Sequence, residues 1–140
     1  MKTFITNSAE ETIKAGEEIG AALIPGDVLS LHGTLGAGKT TFVKGIAKAL
    51  GIHETITSPS FTIISEYSGD LSLYHMDLYR IDSAEEFEMI GPEEMLDGTG
   101  ISVVEWAEKA GDFFPERTMA VTFSIEEGGK RKITIEGTKW

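Results

Sequence analysis

The stretch Gly33-Thr34-Leu35-Gly36-Ala37-Gly38-Lys39-Thr40 satisfies the spacing G-x-x-x-x-G-K-[ST] in full. Glycines in such a run let successive backbone N–H groups turn inward, where side chains would obstruct them, and form a nest for phosphate oxygens. From the end of the nest the Lys39 ammonium reaches the β- and γ-phosphates of a nucleotide, and the Thr40 hydroxyl offers a ligand to Mg²⁺. The competing reading is a glycine-rich turn without chemistry, and the flanking sequence argues against it.

A phosphate nest works where a strand delivers it and a helix N-terminus, with its partial positive charge, faces the anion. Val28 to His32 is a short, mostly apolar run before the nest, and Thr41 to Leu50 reads as a helix after it, closed by Gly51 in a left-handed conformation. Upstream, Ser8-Ala9-Glu10-Glu11 is a capping box that opens a helix with Ile13, Ile19, Ala22 and Leu23 toward the core. Downstream, Phe61 to Tyr67 and Leu71 to Leu78 read as strands joined at Ser68-Gly69-Asp70, and Ser83-Ala84-Glu85-Glu86 starts a helix through Phe87, Met89 and Ile90. Ile101 to Val104 has the continuous apolar character of a buried parallel strand. Met119 to Ile125 and Arg131 to Ile135 flank Glu126-Glu127-Gly128-Gly129, a hairpin expected to extend the sheet at its edge. The expectation is one α/β domain over residues 1–140, like P-loop NTPases, with a mostly parallel sheet, antiparallel edge hairpins and flanking helices.

A metal needs more than one hydroxyl, and hard oxygen ligands suit Mg²⁺. Two acids stand just beyond the carboxyl ends of strand-like runs, where α/β sheets present ligand-binding groups. Asp77 follows Leu73-Tyr74-His75-Met76, and Glu105 follows Ile101-Ser102-Val103-Val104. Each could instead cap a following helix or pair with Arg80 or Lys109. Thr57-Ser58-Pro59-Ser60-Phe61-Thr62 is a hydroxyl-rich loop placed where a switch segment senses a γ-phosphate, although the same residues make ordinary turns. Taken alone, Trp106 reads as a core residue, and Arg131 reads equally as a nucleotide contact or as a charge guarding a β-edge. His32, His53 and His75 are scattered without ligand spacing and read as structural or surface groups.

Composition narrows the function classes. The chain has 140 residues, 41% hydrophobic and 25% charged, and no cysteine, which excludes disulfides and thiolate metal sites and makes the cytoplasm the expected compartment. No apolar run approaches the length of a membrane span and the start has no signal-peptide core, so no membrane partner is expected. Twelve basic residues stand against twenty-three acidic ones, a net charge of −11. Autonomous nucleic-acid binding depends on Lys and Arg neutralising phosphates, so any work on nucleic acid is expected to pass through a protein partner.

Four segments together resemble the bacterial TsaE (YjeE) family: Gly33 through Thr41, Thr57 through Thr62 with Tyr67, His75-Met76-Asp77-Leu78-Tyr79-Arg80, and Val104-Glu105-Trp106. They run in family order over nearly the whole chain, and the second pair of segments discriminates far better than the phosphate loop alone. The departures are Met76 where Phe is frequent and Ser60 where Thr is usual. The resemblance implies a P-loop α/β fold and a weak ATPase of tRNA threonylcarbamoyladenosine biosynthesis, a modification of adenosine 37, in which TsaD and TsaB are partners and tRNA is met only through the complex. It implies ATP and Mg²⁺ as cofactors. By position it assigns Leu35, Gly36, Ala37, Gly38, Lys39 and Thr40 to the phosphates, Thr41 to the nucleotide, Thr40 and Glu105 to the metal, and Lys39, Asp77 and Glu105 to hydrolysis, with Asp77 acting through the metal or the attacking water. It also places Trp106 near the nucleotide, with Ala9 in the Thr6–Ala9 region and Arg131 at its base and edge.

Other functions stay open on the sequence. A small P-loop kinase would pass the γ-phosphate to another acceptor, yet the chain has only three arginines (Arg80, Arg117, Arg131) and no arginine-rich lid. A nucleotide sensor would bind without hydrolysing. A GTPase is disfavoured because no Asn-Lys-x-Asp segment occurs.

Overall fold

The computed structural model describes residues 1–33, 38–57, 63–96, 98–137 and 139–140. Its elements are β1 (Lys2–Thr6), α1 (Ala9–Ala22), β2 (Val28–Gly33), α2 (Lys39–Ala49), β3 (Ile64–Tyr67), β4 (Leu73–Asp77), α3 (Ala84–Met89), α4 (Glu93–Leu96), β5 (Ile101–Glu105), β6 (Met119–Ile125) and β7 (Arg131–Glu136). The seven strands form one sheet in the order β1-β7-β6-β2-β5-β4-β3. Its centre, β6-β2-β5-β4, is parallel, while β7, β1 and β3 join antiparallel. Among the described residues no helix is long and apolar enough to cross a membrane.

Strand alternation sorts the core into two layers. Leu29, Leu31, Leu73, Ile101, Val103, Val121 and Phe123 face α1 and α2, where they meet Ile19, Phe42, Val43 and Ile46. Val28, Met76 and Val104 face the other way, toward Leu78, Ile81, Phe87 and Leu96. All five residues of β5 are buried, as a strand covered on both faces requires.

Both serines expected at helix starts do cap. Ser8 Oγ accepts from Glu11 N at 3.1 Å and Ser83 Oγ from Glu86 N at 3.2 Å. The return bonds go one residue further out than a capping box places them, from Asn7 N to Glu11 and from Asp82 N to Glu86. The buried stripe of α1 is Thr12, Ala15, Gly16, Ile19 and Gly20, whereas Ala22 is exposed and Ile13 half-buried. The reason is a backbone-to-backbone crossing with α2: a Cβ on Gly45 would stand 2.0 Å from Ile13 O, and one on Gly16 would stand 2.2 Å from Phe42 O.

The β6–β7 hairpin is present but does not end the sheet. β1 pairs outside β7, with Lys2 opposite Ile135 and Thr6 opposite Arg131, and forms the margin. In α3, Phe87 is buried while Met89 is 87% exposed. The expected beginning of the β3 strand at Phe61, and most of the Thr57–Thr62 loop, lie outside the described residues.

Candidate functional site

The parallel strands all point their carboxyl ends to one edge, so β2 releases the phosphate loop there, β4 ends on Asp77 and β5 ends on Glu105. In the sheet register Asp77 is opposite Glu105, and Glu105 is opposite Leu31. Alternation puts Glu105 on the same face as Val103, and Asp77 and His75 on the same face as Leu73, which is the α2 side. Lys39, the first residue of α2, meets them there. Its ammonium donates to Gly33 O at 3.1 Å and pairs with Glu105 Oε1 at 3.2 Å. Gly38, just before the helix, has φ of +99°, a left-handed conformation that glycine adopts without cost.

His75 completes the cluster from below. It is 0% exposed, and its Nε2 lies 3.3 Å from Glu105 Oε2. Glu105 is therefore buried between two donors. Burial raises its carboxyl pKa, but the hydrogen bond from His75 and the charge of Lys39 outweigh that and hold it below the ordinary 4.5. Asp77 Oδ1 accepts from Tyr79 N at 3.0 Å, a bond within the turn after β4 and not at a helix start, while the acid stands beside Glu105.

Among the described residues, two cavities border the start of α2. One of about 90 Å³ is lined by Leu31, His32, Gly33, Lys39, Trp106 and Glu108. The other, about 200 Å³, is lined by Asn7, Ser8, Ala9, Thr12, Gly38, Thr41, Gly129 and Arg131. Ala9 and Arg131, far apart in sequence, are thus brought to the same cavity as Gly38 and Thr41, and Arg131 is steadied by donating to Gly129 O at 2.6 Å. Trp106 is not a core residue: it is 41% exposed and packs against Tyr79 with ring centroids 5.2 Å apart. Lys109 lies 5.0 Å from the Tyr79 ring and 5.7 Å from that of Trp106. Trp106 has φ of +62°, the one positive value outside glycine among the described residues, a strain of about 1–3 kcal/mol of the kind that collects at functional sites. Lys109 also donates to Tyr79 O. Leu35, Gly36 and Ala37 lie outside the described residues.

The donor set suits Mg²⁺. Among the described residues no group of three acids and histidines converges to make an all-protein metal cage. Mg²⁺ usually takes one or two carboxylates and leaves its other positions to water and phosphate oxygens. Glu105 Oε1 faces the start of α2, where it pairs with the Lys39 ammonium at 3.2 Å. Thr40 follows on the first turn of α2. Spacing reads His75 as a structural or surface group, and the fold buries it, while its partner Glu105 is shown only by the strand register.

A glycine loop between a central parallel strand and a helix, with acids on the neighbouring strand ends, defines a P-loop α/β fold. The chain belongs to the TsaE family: the family model described as threonylcarbamoyl adenosine biosynthesis protein TsaE matches residues 6–133. It is 46% identical over 131 residues to the tRNA threonylcarbamoyladenosine biosynthesis protein TsaE of Treponema pallidum, covering 94% of this chain and 97% of that one. It is 44% identical over 131 residues to the protein of the same name from Bacillus subtilis, covering 93% and 82%. The crystal structure of Bacillus subtilis YdiB superposes with a TM-score of 0.84 at 39% identity, over 97% of this chain and 84% of that one.

Proposed function

We propose that this protein binds ATP with Mg²⁺ and hydrolyses it slowly as the ATPase component of tRNA threonylcarbamoyladenosine biosynthesis, acting in the cytoplasm with TsaD and TsaB. The observation that carries the reading is the meeting of Lys39, Glu105 and Asp77 at the carboxyl edge of the parallel strands, with a cavity on each side of the first turn of α2. Membership of a family named for that modification supports the pathway.

In this reading the loop amides from Leu35 to Gly38, with Lys39, Thr40 and Thr41, hold the phosphates. Ala9 and Arg131 border the nucleoside side, and Trp106 borders the γ-phosphate side. Thr40 and Glu105 would hold Mg²⁺, which supplies charge neutralisation for the phosphate oxygens when bound. Lys39 then stabilises the charge that builds on the transferred group, and Asp77 orients the attacking water. Positioning and electrostatics do nearly all the work in such reactions, and an arginine delivered in trans can add orders of magnitude. Arg80, three residues after Asp77, is the candidate in cis, whereas Arg117 is engaged elsewhere, donating to Gly26 O at 3.1 Å and Leu96 O at 3.4 Å. In this reading turnover is slow alone and rises with the partners. The test is ATP hydrolysis by the protein with and without purified TsaB, TsaD and tRNA, beside a Lys39→Ala control. Labelled phosphate arriving on an acceptor other than water would favour a kinase instead.

A further inference from the structure

The proposed hydrolysis gives His75 no part, yet its place is specific. It is completely enclosed by the sheet and α2 layer, and its Nε2 reaches Glu105 Oε2 at 3.3 Å. An ionised carboxylate only accepts, so Nε2 carries the hydrogen and donates. Among the described residues Nδ1 has no hydrogen-bond partner. A residue selected only to fill this space would be apolar, because a buried ring nitrogen left unpaired lowers stability. The gain that offsets this loss is the hold on Glu105.

Glu105 is held once on each oxygen, by His75 on Oε2 and by Lys39 on Oε1. The two donors differ in what they are free to do. Lys39 stands on the first turn of α2 at the cavity mouth and serves the phosphates in the proposed reaction. His75 is sealed beneath, with neither solvent nor ligand to turn to. It is the donor that stays.

We propose that His75 is the positioning residue of Glu105: its Nε2–H fixes Oε2 so that Oε1 remains presented to a cation beside Lys39. The inference rests on the reading of Glu105 as a metal carboxylate. Groups that orient a ligand through its second atom commonly change metal affinity or activity about 10–100-fold when removed.

Two measurements on the full chain test it. In ¹⁵N-labelled protein free of nucleotide and metal, the His75 Nε2–H should appear as an exchange-protected imidazole resonance, and Glu105→Ala should shift it or abolish its protection. Mn²⁺ binding in the presence of ADP, followed by electron paramagnetic resonance, should weaken about 10–100-fold in His75→Leu and recover in part in His75→Gln, which keeps a donor. ADP affinity measured in EDTA should not change. Thermal melting of each variant identifies a packing role, which would lower Tm and leave Mn²⁺ affinity alone. A folded His75→Leu protein that binds Mn²⁺ like the parent, or an imidazole proton indifferent to Glu105→Ala, overturns the proposal. Should Glu105→Ala itself leave Mn²⁺ affinity unchanged, the metal reading of Glu105 is what fails, and the resonance still decides whether His75 holds the carboxylate.

Discussion

Glu105 and Lys39 form a charge pair whose two members can be separated by experiment. A carboxyl whose pKa is depressed by folding stabilises the fold above its unfolded value, and that contribution is lost as pH falls through the folded value. For Glu105 the unfolded value is near 4.5 and the folded one lies lower. Glu105→Gln should therefore flatten the acid limb of the metal-free protein's stability below pH 4.5, with little change in its shape above. Urea midpoints stepped from about pH 6 to about pH 3 measure this, and a limb equally steep in the variant would remove the proposed coupling. Lys39→Ala addresses the other member. It should abolish ATP uptake measured by calorimetry and lower hydrolysis by at least about 10²-fold, the scale seen when one donor aimed at developing charge is deleted. Lys39 was legible in the sequence because its meaning is local, fixed by spacing to Gly33 and Gly38. His75 was not, because its partner Glu105 stands thirty residues away on another strand and only the sheet register brings them together.

Helices α1 and α2 cross so closely that glycine is the only residue that fits at the contact. Gly45→Ala would gain helix propensity of about 1 kcal/mol. It would also drive a methyl to 2.0 Å from Ile13 O and 2.9 Å from Glu17 N, both backbone atoms that cannot swing aside. The clash wins, and the net loss should be about 1–3 kcal/mol by urea denaturation. Because α1 carries Ala9 and Thr12 and α2 follows Gly38, the same variant should weaken nucleotide binding at the larger cavity. Ser83→Ala is the control at this scale: it removes a cap worth about 1 kcal/mol and touches neither cavity, so it should lower stability and leave nucleotide affinity alone. The central strands and the caps could be read from the chain because periodicity and capping residues act within a few positions. The inward face of α1 could not, since Gly16 and Gly20 carry no hydrophobic signal and are buried by closeness instead. Strand β1 has the same difficulty, because Lys2–Thr6 is short and finds its partner only at Arg131–Ile135, at the far end of the sequence.

At the scale of the whole molecule the governing quantity is charge. Twelve basic residues against twenty-three acidic ones leave −11, and Lys39 is already paired with Glu105. Lys139 is held by Asp27 at 2.7 Å, and Lys2 by Glu18 at 2.6 Å. Lys130, Arg131 and Lys132 make a short basic run, with Arg131 turned to the larger cavity. Each phosphate neutralised on an RNA releases counterions, and a surface with so few cations available gains little by that route while its carboxylates repel the strand. The isolated protein should therefore show no measurable affinity for tRNA at about 0.15 M salt, weaker than the roughly 10⁻⁴–10⁻⁶ M typical of non-specific binders. Labelled tRNA followed by fluorescence anisotropy should respond only once TsaB and TsaD are added. Micromolar binding by this chain alone, weakening steeply with salt, would mean that it meets the RNA directly, and the partners would then no longer be needed to explain how so acidic a protein serves tRNA.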